Sequence, residues 1–169
     1  TIALNAMNAV PSPTLLNVGN GVLCMVNPNQ FELFAPTPSN FFTSAVCIPW
    51  NGTMPTPVFD CFLYDVTCGD SVLTERIWET IGYLLSEDNS AKRFVLLLGP
   101  SNSGKSVFGN VISAFFEDDF ISAVSASGLG AQFSLAALKH ARLNLSMDLT
   151  DAALSPQAVG VIKSITGRD

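Results

Sequence analysis

Phe94-Val95-Leu96-Leu97-Leu98-Gly99-Pro100-Ser101-Asn102-Ser103-Gly104-Lys105-Ser106 is the stretch on which the reading of this chain turns. Five apolar residues in a row have the length and character of a buried strand. The eight that follow match G-x-x-x-x-G-K-[ST] at every position, a pattern that arises by chance roughly once in a few hundred chains of this length. Glycines allow a tight curl in which successive N–H groups point inward and form a nest for phosphate oxygens. Downstream, Lys105 to Phe116 carries Val107, Val111, Ile112 and Phe115 on one stripe, which predicts a helix. Its positive dipole end then faces the nest. In such a cradle, running from Gly99 to Val107, Lys105 reaches the β- and γ-phosphates of a nucleotide and the Ser106 hydroxyl takes a place on Mg²⁺.

Working outward from this loop, strand and helix signals alternate. Glu117-Asp118-Asp119 ends the first helix, and Phe120 to Val124 and Arg142 to Met147 read as strands. Ser134 is placed to cap a short helix through His140, and Ser155-Pro156 opens another that runs to about Ile165. Alternation of this kind implies a mostly parallel sheet covered by helices, so residues 89–169 read as an α/β P-loop NTPase core. Asp148 closes the run Leu143-Asn144-Leu145-Ser146-Met147, at the strand edge where open α/β sheets bind ligands. It is the candidate second metal-site carboxylate, and Asp151 is a candidate to orient an attacking water.

Residues 1–88 differ in composition, being rich in Pro, Asn, Thr and Phe, and read as a smaller α+β region. Two apolar runs, 21–26 and 31–34, flank Asn27-Pro28-Asn29-Gln30 and predict a hairpin. Five prolines between Pro36 and Pro57 suit an irregular loop. From Val72 to Leu85, Leu73, Ile77, Ile81 and Leu84 recur at helical spacing. Trp50 and Trp78 read as packing residues, and His140 as a surface residue beside Lys139 and Arg142.

The whole chain has 169 residues, of which 48% are hydrophobic and only 13% charged, which excludes intrinsic disorder. No apolar run approaches the ~20 residues that cross a bilayer, and no signal peptide is visible. Net charge is −6, and none of the eight Lys or Arg precedes Arg76, so the first 75 residues hold no side-chain cation for DNA phosphates. The four cysteines make no C-x-x-C pair, which argues against zinc and fits a reducing interior. Beginning at Thr1 and stopping at Asp169 in mid-pattern, the chain reads as a fragment of a longer protein.

Several segments taken in order resemble the phage and plasmid primase-helicases, relatives of the poxvirus-type helicase-primases within the superfamily-three helicases. Asn20-Gly21-Val22-Leu23, Phe41-Phe42-Thr43 and Pro57 to Leu63 are similar to the region before the motor. Ile81-Gly82-Tyr83-Leu84-Leu85 resembles the helix before the motor strand, and Lys92 through Ser106 the Lys-led strand and phosphate loop. Leu143 to Asp148 falls at the second acidic motif, and Ile162 to Asp169 resembles an L-K-x-L-T-G-G-D signature. Leu149 stands where a second carboxylate is commoner, and Arg168 where a second glycine is.

The resemblance implies an ATP- and Mg²⁺-dependent DNA helicase that works as a hexameric ring around DNA. Such motors are often fused to a primase and act in the cytoplasm of the host cell of a phage, virus or mobile element. It implies that Lys105 and Ser106 hold phosphate and metal, that Asp148 contacts the metal through water, and that Lys163 and Arg168 approach DNA. The family's sensor strand and trans-acting arginine follow these segments, so hydrolysis by this stretch alone is expected to be weak or absent. Such an arginine contributes 10³ to 10⁵ in rate in related NTPases.

Two other function classes fit the same loop. A small-molecule kinase calls for an arginine-bearing lid, and only Arg142 and Arg168 follow the loop; a GTPase calls for an N-K-x-D element, which does not occur. A non-enzymatic assembly fragment, with residues 1–88 packed on a partner, is the third.

Overall fold

Three short strands, the first two separated by a turn at Gly19-Asn20, build the first sheet. The computed structural model describes residues 15–27, 30–40, 42, 45–86, 91–147 and 154–167. The chain divides into two compact units, Thr1–Glu87 and Asp88–Asp169. It is a mixed α/β protein, with a three-stranded antiparallel sheet in unit 1 and a two-stranded parallel sheet in unit 2.

In unit 1, β1 (Leu15–Val18), β2 (Gly21–Asn27) and β3 (Gln30–Phe34) pair in that order. The β2–β3 pair is the hairpin read from its two apolar runs. Val18, Val22, Leu23 and Val46 are buried, and a parallel bridge joins Val18 to Val46. Between β3 and Pro57 the described residues form a 3₁₀ turn, Pro38–Asn40, and the single bridge at Val46, and no longer element, as expected of a proline-rich stretch.

Helix α1 (Pro57–Thr67) was not among the sequence expectations. Its signal is Thr56-Pro57-x-x-Asp60, with proline in the first turn, where no N–H is needed, and a carboxylate at the positive dipole end. The Thr56 hydroxyl donates to both Asp60 carboxylate oxygens at 3.2 Å. Left-handed Cys68 (φ 53°) ends the helix, and Asp70 starts α2 (Ser71–Leu85) by accepting from the N–H of Val72 at 2.8 Å and Leu73 at 3.1 Å. Leu63 is 1% exposed, and the buried Thr67 hydroxyl donates to Leu63 O at 2.8 Å. Phe59 stacks on Phe62 and meets Trp78 edge-on at 5.3 Å, which gives Trp78 its packing role.

In unit 2 the helices expected near 105, 134 and 155 are α3 (Lys105–Ser113), α4 (Ser134–Leu138) and α5 (Pro156–Gly167). Ser155 Oγ accepts from Ala158 N–H at 3.1 Å, the expected cap. Ser134 is not a cap: Phe133, at φ 71°, takes that position, and the Ser134 hydroxyl donates to Leu129 O at 2.7 Å. The expected strands 120–124 and 142–147 shrink to β4 (Ile121–Ser122) and β5 (Leu143–Asn144), paired in parallel. The Asn144 amide continues the pairing with its side chain, accepting from Val124 N–H at 2.9 Å and donating to Val124 O at 3.0 Å.

The run 94–98 corrects the sequence reading. It forms no strand, and its side chains are 39 to 83% exposed. A strand needs a ladder as well as apolar residues. Here β4 and β5 pair with each other, and this run joins no ladder among the described residues.

Removing either cap should weaken its helix locally. Asp70→Ala and Ser155→Ala are each expected to lower stability by about 1 kcal/mol, measured by urea unfolding.

Candidate phosphate-binding loop

Two left-handed residues shape the loop. Asn102 sits at φ 60°, tolerable because its short polar side chain suits that region, and Gly104 at φ 87°, where a Cβ would be strained. Gly104 is the N-cap of α3, and no side chain caps its first-turn N–H groups. An uncapped first turn leaves backbone donors aimed outward.

Lys105 folds back over the loop. Its ammonium donates to Gly99 O at 2.8 Å, to Pro100 O at 2.6 Å and to Ser103 Oγ at 3.2 Å. The cation therefore sits inside the curl, its three donors met by loop oxygens rather than by a carboxylate. These partners are exposed or half-buried, so an incoming anion can displace them at modest cost. Ser106, on the first turn of α3, is exposed, and its hydroxyl makes no hydrogen bond among the described residues. Val107 is 51% exposed beside it.

Behind the loop, α3 is anchored by Phe108 and Ile112, both buried. Gly109 allows a close approach to the segment after β5. A Cβ there would lie 3.3 Å from Met147 Sδ and 3.5 Å from Leu145 Cδ2. The chain leaving β5 thus passes α3 one turn from Lys105, a separation of about 6 Å along the axis. The apolar stripe read from sequence does not include Gly109; it lies on the buried face of α3 with Phe108 and Ile112. The loop carbonyls that hold Lys105 were also missed, because backbone acceptors leave no mark in a sequence.

Of the candidate residues, the structure brings together Gly99, Pro100, Ser103, Gly104 and Lys105, with Ser101, Asn102, Ser106 and Val107 contiguous with them. Asp148, Asp151 and Arg168 lie outside the described residues. Lys163 is exposed on α5. His140 is exposed next to Lys139, as expected. Among the described residues no helix is long and apolar enough to cross a membrane, and no group of three or more His, Cys, Asp or Glu is arranged to hold a metal.

The residues of the loop are compatible with a polyphosphate and its magnesium. Lysine and uncapped amides supply positive charge, and a free hydroxyl stands on the first helical turn. No family model matches the chain, and no curated protein matches it.

Proposed function

We propose that residues 89–169 form the ATP-binding core of a P-loop NTPase and that the chain belongs to the motor of a viral, phage or mobile-element DNA helicase of the primase-helicase kind. The observation that carries the reading is the Lys105 ammonium held within a curled loop at an uncapped helix start. The ordered resemblance of the flanking segments extends it from nucleotide binding to DNA unwinding.

In this reading the phosphates of ATP replace Gly99 O and Pro100 O as partners of Lys105, and the α3 amides take the remaining oxygens. Ser106 and Asp148 would hold Mg²⁺, which supplies positive charge to the β- and γ-phosphates when bound. Asp148 or Asp151 orients the attacking water. Lys163 and Arg168 approach DNA phosphates, in a hexameric ring working in the host cytoplasm.

Calorimetric titration of the chain with ATP in Mg²⁺, followed by anisotropy of labelled single-stranded DNA with and without ATP, tests the proposal. Saturable Mg²⁺-dependent ATP binding and nucleotide-sensitive DNA binding are expected. No ATP binding would overturn the nucleotide site. ATP binding with no DNA response would leave an NTPase but remove the helicase.

A further inference from the structure

The outer edge of the unit 1 sheet is unusual in being both apolar and open. Among the described strands β3 pairs only with β2, and all five of its residues are exposed. Phe31, Leu33 and Phe34 are 45, 40 and 50% exposed, and Met25 and Val26 of β2 are similar. Such an edge presents a row of N–H and C=O groups to any strand that can lie beside it. The register sets Met25 opposite Phe31 and Leu23 opposite Leu33. Phe31 and Leu33 therefore share one face, and Glu32 and Phe34 the other.

A pocket lies at the start of this edge. Gln30, Phe31, Trp50, Gly52 and Thr53 line an open space of about 410 Å³. The Phe31 and Trp50 rings meet at 5.9 Å, tilted by 54°. Trp50 is fixed there by a reciprocal pair: its N–H donates to Asn20 Oδ1, and Asn20 Nδ2 donates to Trp50 O, both at 2.8 Å.

Charge identifies the occupant. Unit 1 holds seven carboxylates and a single cation, Arg76, whereas unit 2 holds seven of each, so the net charge of −6 resides in unit 1. Glu32 is the one charged residue on β1, β2 or β3. A second copy adding antiparallel about the centre of β3 would set Glu32 against Glu32, a destabilising pair. An incoming strand with Lys or Arg at that place gains an opposite-charge pair instead. Its flanking apolar side chains meet Phe31 and Leu33 on the opposite face, beside the Phe31–Trp50 ring pair.

We propose that the β3 edge docks an extended basic segment of a partner protein, with Lys or Arg alternating with aliphatic residues, by strand addition. This surface is independent of the phosphate loop.

The test titrates the full chain with the capped hexapeptide VKVKVK, followed by NMR of the backbone amides 30–34. Expected are shifts in the β3 amides, loss of binding when alternate peptide amides are N-methylated, and weakening by about tenfold in Glu32→Lys, as reversal of one cross-strand charge pair predicts. Glu32→Lys should instead bind VEVEVE. Glu32 is exposed, and an unchanged circular dichroism spectrum establishes that the variant is folded. Undiminished binding of the N-methylated peptide, indifference to Glu32→Lys, or no binding would overturn the proposal. So would a concentration-dependent dimer with protected β3 amides, which would assign the edge to a second copy.

Discussion

Lys105→Ala is expected to lower affinity for Mg²⁺-ATP by roughly 10- to 100-fold. Hydrogen bonds to charged groups are worth about 1.5 to 3 kcal/mol, and each 1.4 kcal/mol is tenfold in affinity. The substitution also removes the three bonds from Nζ to Gly99 O, Pro100 O and Ser103 Oγ. Those acceptors can turn to water, so stability should change by no more than about 1 kcal/mol. Measuring binding by calorimetry and stability by urea unfolding separates the two effects. Lys105→Arg keeps the charge but carries a planar fork in place of a compact ammonium, and should recover only part of the affinity. Equal affinity in wild type and Lys105→Ala would place any bound nucleotide away from this loop.

Ile112→Ala should cost about 2 to 5 kcal/mol, out of a total of roughly 5 to 15 for an ordinary domain. Ile112 is 2% exposed on the inner face of α3, with Phe108 and Phe116 also buried. Truncation removes apolar contact and leaves a cavity that the neighbours only partly refill. Asn110→Ala, on the exposed side of the same helix, should stay within about 0.5 kcal/mol. The comparison is made by denaturant midpoint. Similar midpoints for the two variants would show that α3 does not rest on this core.

Local patterns account for much that was legible beforehand. Leu73, Ile77, Ile81 and Leu84 marked α2 because helical spacing is written in consecutive residues, and Ser155-Pro156 marked the start of α5 because capping acts within one turn. The division of composition near residue 89 lies close to the boundary between the two compact units. Helix α1 is less legible: Pro57 and Asp60 are helix-start signals, but the proline-rich run before them carries the signature of a loop. The loop motif named the residues that meet around Lys105, but not the carbonyls that hold its ammonium.

Sequence alone determined the helices that start near 71, 105 and 155, the pairing of the two apolar runs as the β2–β3 hairpin, and a curled loop over residues 99–104 before a helix, since each depends on neighbours within a few residues. Tertiary structure decided the fate of 94–98, the two-residue length of β4 and β5, the exposure of β3 and the close pass of Met147 over Gly109. Those outcomes depend on which distant edges and faces meet. Strand pairing is a relation between two segments, and no single run of apolar residues specifies its partner.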